Sequence, residues 1–167
     1  VVEYLVSAHQ FTHFAVSEFL AAELVRRGIT PDRPGRARLA NELRAQGPTG
    51  LIEAVYRDAD AHGSERIILE PQYTIAEVEF MKEQGGIEIA VDADMRVRYD
   101  RIIARGSPKD QVTYETFVAH QLEEMVNVDP HAQNLAATME AADYLILNNG
   151  SLEELHVQID AIVKVLA

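Results

Sequence analysis

Short apolar runs rich in branched residues alternate along this chain with longer stretches in which apolar positions recur every three or four residues. Runs of the first kind suit strands and stretches of the second suit amphipathic helices. Their alternation is that of a mostly parallel sheet covered by helices, an α/β fold. Strands are expected near Thr12 to Val16, Arg66 to Glu70, Ile87 to Val91 and Tyr144 to Leu147. Ser17 is placed to cap the helix SEFLAAELVRRG, with Gly28 as its stop, and Thr74 with Glu77 and Ser151 with Glu154 have capping-box spacing. In the last helix Leu152, Leu155, Ile159, Ile162 and Leu166 recur at spacings of three and four, which predicts one face docked on the sheet.

From Thr30 to Gly63 no strand is predicted. Two helical stretches, LANELRAQ and GLIEAVYRDADA, flank Gly47-Pro48 and read as a helical insertion (about 30–63) in a single domain spanning 1–167. Farther on, Tyr114, Phe117, Val118, Leu122 and Met125 form an amphipathic helix between turn-rich segments at Gly106 to Asp110 and Asn127 to His131. A helix held between two turns is suited to act as a lid, here about 106–133.

Composition narrows the function classes. At 167 residues and 47% hydrophobic content the chain can bury roughly two-thirds of its unfolded surface in one core. A formal net charge of -12 argues against nucleic acid as a partner held by general attraction. There are three lysines, Lys82, Lys109 and Lys164, and the other twelve bases are arginine, a skew that favours bidentate recognition of phosphate or carboxylate and that a G+C-rich genome also produces. Cysteine is absent, which removes thiol chemistry and fits a reducing compartment. No apolar run approaches the roughly 20 residues of a membrane span, so no membrane partner and a cytoplasmic location are expected.

Within this acidic chain, the strand IEIAV leads through Asp92-Ala93-Asp94 into a helix carrying Arg98, Arg101 and Arg105. Spacings of three, four and seven put the three guanidiniums on one helical face. A strand running into a helix start is where open α/β sheets bind ligands, which points to a phosphate-handling site. The same spacing suits a solvated face whose arginines pair with Asp94, Asp100 and neighbours. Glu70 ends the strand RIILE, where a carboxylate can orient water on Mg²⁺ or simply face solvent. Asp92 and Asp94 suit either helix capping or acid/base work. The turn Asn148-Asn149-Gly150-Ser151 can hold a base or anion through backbone groups, or be an ordinary strand-to-helix turn. His9 and His13 are four apart, but the strand expected over Thr12 to Val16 breaks the helical geometry a metal pair needs. His120, His131 and His156 have no partner by spacing, and Ser17, Ser107 and Ser151 lack a hydrolase Gly-x-Ser-x-Gly setting.

Taken in order, HFAVSEFLAAELVRRGI, LANELRAQGP, IILEPQYTIAEVEFMK, IAVDADMRVRYDRIIARGSPKD, DPHAQNL and ADYLILNNGSLEELHVQI resemble the P-loop kinases that include adenylate-kinase-like nucleoside monophosphate kinases and dephospho-CoA kinases. The resemblance implies a three-layer parallel sheet flanked by helices, with ATP and Mg²⁺ as cofactors and a small nucleotide-like acceptor. By similarity Arg101 sits against the nucleotide base, Arg105 lies near the ATP phosphates, and Asn149, Gly150 and Ser151 border the adenine; Arg98 is counted with them as cofactor-binding, and Arg101, Arg105 and Glu70 are the candidate catalytic residues. Ser17 and Tyr73 fall in acceptor segments, and Arg36 and Arg44, with Arg33 and Arg38, are the bases nearest to them in the insertion.

This sequence departs from the family pattern in three places. It contains no Gly-x-x-x-x-Gly-Lys-Ser/Thr, and Ala21 and Tyr73 stand where acceptor-binding arginines are usual. VVEYLVSAHQFTHF matches the helix that follows the phosphate loop, so the native product is expected to extend roughly 10 to 20 residues before Val1, enough for a first strand and that loop. A loopless inactive relative, or an assembly in which another segment fills the gap, are the other ways to account for it. The activity implied is phosphoryl transfer from ATP-Mg²⁺ if the loop is present upstream. The rivals are a non-catalytic nucleotide-binding or scaffold protein and an acidic interaction module.

Overall fold

In the computed structural model, which describes residues 1–106, 112–125 and 134–166 apart from the side chains of 123 and 124, the chain is mixed α/β. It is mostly helical, with small parallel sheets. It divides into two compact units, Val1–Gln72 and Tyr73–Ala167, which are described in turn.

The first unit begins with α1 (Val2–His9), which ends where Gln10 turns left-handed at φ 61°. That turn separates His9 from His13 and leaves them on different elements. Strand β1 (Thr12–Ala15) pairs in parallel with β2 (Ile67–Glu70), Thr12 opposite Ile67 and Ala15 opposite Glu70. Between them run α2 (Val16–Arg26), α3 (Arg33–Arg44) and α4 (Gly50–His62), so the helical insertion is present. The start of α2 differs from expectation. The helix begins one residue before Ser17, Ala15 is its N-cap without any side-chain bond, and Ser17 lies exposed in the first turn. Ala15 is the buried end of β1, so the strand runs into the helix with no polar residue between. Gly28 does serve as the stop: its φ of 72° lets its own amide and that of Ile29 return to the carbonyls of Val25 and Leu24. Asp32 caps α3 through the Gly35 amide, with Pro34 in the first turn. Leu20, Leu24, Leu39, Leu43, Ile52 and Val55 pack the three helices together, the last two at 1% and 0% exposure.

In the second unit, α5 (Ile75–Glu83) opens on the capping box read from sequence. Thr74 Oγ1 accepts from the Glu77 amide, and the Glu77 carboxylate accepts from the amides of Thr74 and Tyr73. Thr74 and Glu77 are both buried, and the box supplies partners to the amides of Tyr73, Thr74 and Glu77 and to the Glu77 carboxylate. Thr74→Ala is therefore expected to cost about 1 kcal/mol in urea unfolding, and Thr74→Ser much less. An alanine variant as stable as the parent would show that Glu77 alone holds the turn.

Strand β3 (Ile89–Asp92) pairs in parallel with β4 (Tyr144–Leu147), Ile89 opposite Tyr144 and Asp92 opposite Leu147. The expected β3 is displaced by two residues at its start, because Glu88 is engaged with Asp143 before the ladder begins and Asp92 belongs to the strand. Helix α6 (Met95–Arg105) follows β3, and α7 (Tyr114–Met125) packs on α6 through Tyr99 against Tyr114 and the buried Phe117. The turn-rich segments expected beside that helix, with Ser107, Lys109 and His131, fall at 107–111 and 126–133, outside the described residues. A short α8 (Leu135–Glu140), capped by Asn134 and not anticipated, precedes β4.

Helix α9 (Leu152–Leu166) packs on β4 with Leu155, Ile159, Ile162 and Val163 buried. Leu152 and Leu166, expected on that face, are 67% and 43% exposed. At the helix ends the seam has drifted off the short strand, and Val163 takes the place Leu166 was expected to fill. Gln158 turns to the outer edge of β4: its amide accepts from Leu147 N and donates to Leu147 O, at 3.1 and 3.0 Å. A side chain thereby fills the hydrogen bonds a further strand would make there.

Candidate functional site

The carboxyl ends of β3 and β4 lie side by side in the second unit, and the two segments leaving them are tied together. Asn148 N donates to Asp92 O at 2.7 Å, extending the ladder by one bond. Asp94 N donates to Asn149 Oδ1 at 2.7 Å while Asn149 Nδ2 donates to Asp94 Oδ1 at 3.0 Å, a reciprocal clasp between the start of α6 and the turn before α9. Asp94 therefore makes no side-chain cap on its own helix. Asp92 Oδ1 accepts from the next amide, Ala93 N, and from Arg98 Nη1 at 2.6 Å. Neither aspartate is arranged as a member of a carboxylate pair, and both position the junction.

The arginine comb resolves into different roles. Arg98 is pinned by Asp92; its Nη2 meets only the Met95 sulfur, and its buried Nε has no partner among the described residues. Arg101 reaches across to the turn, donating from Nη1 to Asn148 O at 2.6 Å and from Nη2 to Gly150 O at 3.3 Å. Arg105 stands exposed at the end of α6. Arg96, outside the comb, makes the pair with Asp100 and lies over the Tyr99 and Tyr114 rings. The sequence placed three like groups on one face, and their partners divide them: one neutralised by a carboxylate, one spanning two carbonyls, one at the helix end.

The turn itself is acidic. Glu154 closes the capping box expected at Ser151, accepting from Ser151 N at 2.8 Å while Ser151 Oγ accepts from Glu154 N at 3.2 Å. A Cβ at Gly150 would meet that carboxylate, so a larger residue there would push the Glu154 side chain out of the capping box. The Glu153 carboxyl is held below its usual range, first by its own backbone amide and then by the Ser151 hydroxyl. Two carboxylates at the start of α9 offset its dipole and repel phosphate. With Arg101 spending N–H groups on carbonyls but keeping a flat cationic face, this corner suits a neutral planar ring better than an anion. A shallow cavity of about 460 Å³ adjoins it, lined by Leu147, Gly150, Glu153, Glu154, Val157 and Gln158.

Compared with known proteins, the chain is similar over 95% of its length to a UPF0200 protein of Pyrobaculum aerophilum, at 27% identity and covering 86% of that protein. It is 29% identical over 87% of its length to a UPF0200 protein of Hyperthermus butylicus, covering 76% of it. For a UPF0200 protein of Thermococcus kodakarensis the figures are 24%, 92% and 83%. Its relatives are thus UPF0200 proteins. No protein-family model matches the chain.

The remaining expected residues lie elsewhere. Glu70, at the end of β2 in the first unit, is engaged by His13 of β1, Nε2 to Oε1 2.9 Å, with the side chains 42% and 28% exposed. The pair bridges residues 57 apart, and only strand register brings them together. Ser17, Arg36 and Arg44 are also in the first unit, Arg36 half-buried on α3 and the other two exposed. Tyr73 opens the second unit, its amide donating to Glu77 and its carbonyl accepting from Asn134 N. Among the described residues no group of three metal-ligating side chains occurs, and no helix is long and apolar enough to cross a membrane. Sequence reasoning missed the clasp of Asp94 with Asn149, the edge-capping Gln158, and the His13–Glu70 pair.

Proposed function

We propose that this chain serves an ATP-dependent phosphotransferase acting on a small nucleotide-like acceptor, with the nucleotide base at the corner formed by Arg101 and the 148–151 turn. The reading carries with it a fold of the P-loop nucleotide-kinase type, a three-layer parallel sheet flanked by helices. One observation supports it above the others: Arg101, Asn149 and Gly150, singled out separately from sequence, meet at the carboxyl edge of two parallel strands. Open α/β sheets bind their ligands at such edges.

In this reading Arg101 offers its face to the base and keeps the turn in shape, while Arg105, one turn farther along α6, serves the phosphate side. Mg²⁺, which keeps most of its waters and is held largely by the phosphates, supplies charge neutralisation. Glu70, in the first unit, is the carboxylate that the family resemblance implies for a water-mediated contact with Mg²⁺, and one of its oxygens is engaged by His13. The protein's own contribution is positioning and charge stabilisation, with α7 as part of the closing lid.

A second reading, a nucleotide-binding protein without turnover, is favoured by the commitment of Arg98 and Arg101 to internal partners. The two separate in one experiment on protein expressed from its full reading frame. ATP-Mg²⁺ is titrated calorimetrically, and ATP consumption is followed with dephospho-CoA, nucleosides and nucleoside monophosphates as acceptors. Because Ala21 and Tyr73 replace usual phosphate-binding arginines, hydroxyl acceptors are expected to outperform monophosphates. Binding with no turnover on any acceptor supports the second reading. Absence of ATP binding removes both.

A further inference from the structure

At the opposite, amino edge of the β3–β4 pair lies a charged knot that the nucleotide reading does not use. Asp143, the residue before β4, accepts from Lys82 Nζ and from Glu88 N, both at 2.8 Å. Glu88, the residue before β3, returns the connection through its carbonyl, which accepts from Asp143 N at 2.8 Å and Tyr144 N at 3.1 Å. Lys82 comes from the last turn of α5. Four hydrogen bonds thus bind three segments where the two strands begin to pair. The Glu88 side chain is half-buried, while Lys82, the cation of the knot among the described residues, is already spent on Asp143.

We infer that this knot is a proton-operated latch: it is closed while Glu88 carries a proton, and it loosens when Glu88 ionises against Asp143. The charged groups that act on Glu88 are Asp143 at the entry to β4, which opposes its ionisation, and Lys82 on α5, which favours it. On its own strand the nearest titratable group is Asp92, at the far edge, and Tyr144 is the titratable group on the facing strand. Burial is the largest influence, followed by the Asp143 charge, and together they push the Glu88 carboxyl up to about 7. Asp143 moves in the other direction, held low first by Lys82 and then by the Glu88 amide, so it remains the charged member.

The sign follows from linkage. A carboxyl whose folded value is raised binds its proton more tightly in the native state. Its contribution to stability is therefore greatest below its unfolded value near 4.5, declines between there and about 7, and stays low above. Because β3 and β4 are four residues long, loosening their first bonds acts on the same ladder that ends in Asp92 and Leu147.

The test uses the whole chain and does not depend on any nucleotide. Carbon-detected NMR of the Glu88 carboxyl, with amide exchange of Glu88, Asp143 and Tyr144, is followed from pH 5 to 8.5. The expected results are a Glu88 titration midpoint near 7 and loss of protection at those three amides through the same midpoint, after correction for base-catalysed exchange. In Glu88→Gln the loss of protection should vanish, and the melting temperature should no longer fall by roughly 4–8 °C between pH 5.5 and 8 as in the parent. A Glu88 midpoint between 4 and 5, or equal loss of protection in parent and Glu88→Gln, would overturn the latch. If Glu88→Gln does not fold, the parent titration decides alone. Failure here leaves ATP binding untouched, and failure of ATP binding leaves the latch standing.

Discussion

Ile146→Ala is expected to destabilise the second unit by about 2–5 kcal/mol, a large share of the roughly 5–15 kcal/mol by which domains are stable. Ile146 is 1% exposed at the centre of β4, on which α9 packs with Leu155, Ile159, Ile162 and Val163 buried. Deleting most of this side chain leaves a cavity that a four-residue strand, held on one side by β3 and on the other by Gln158, cannot close by shifting. Its neighbours Leu145 and Leu147 point to the other face, 55% and 52% exposed, and alanine at either should cost within about 0.5 kcal/mol. Urea unfolding of the three variants measures the contrast. Equal losses at 145 and 146 would mean that the register of β4 against its helix is reversed.

Arg101→Ala is expected to weaken ATP binding by about 1–3 kcal/mol, roughly 5- to 150-fold, if the nucleotide lies where proposed. Two effects add: the flat cationic face is lost, and the carbonyls of Asn148 and Gly150 lose the donor that holds the turn. Lysine should rescue little, because an ammonium cannot span two carbonyls with a planar fork. Arg96→Ala is the control, since Arg96 is paired with Asp100 and stacked on tyrosines. Comparing adenosine with ATP separates the roles: loss at Arg101 should appear for both ligands, and loss at Arg105 for ATP alone. Unchanged ATP affinity in Arg101→Ala would move the base away from this corner.

These two expectations draw on different depths of the sequence. That β4 is a strand over Tyr144 to Leu147 was legible from four consecutive apolar residues before a turn, and the structure agrees to the residue. The capping boxes at Thr74 and Ser151 were equally legible, because donor and acceptor lie three residues apart and the helix supplies the geometry. The helix expected over Tyr114 to Met125 is present for the same reason: its period is a local property. Where local signals compete, the reading slipped. Ser17 looked like a cap because serine commonly is one, yet the helix begins at Val16, directly after the buried Ala15.

The sequence by itself determined the alternation of strands and helices, the helical insertion, and the placing of arginines on one face of α6, since each depends on contacts within a turn or two. Only the tertiary structure decided what those arginines do. Arg98 finds a carboxylate six residues away, whereas Arg101 finds carbonyls 47 and 49 residues away, and nothing in their spacing distinguishes them. The same holds for His13 with Glu70 and for Lys82 and Glu88 with Asp143, joined across 57, 61 and 55 residues. Such partnerships depend on strand register and on which chain ends meet at a sheet edge. Register is set by packing of the whole face, so the chemistry of each edge appears only when the strands are paired.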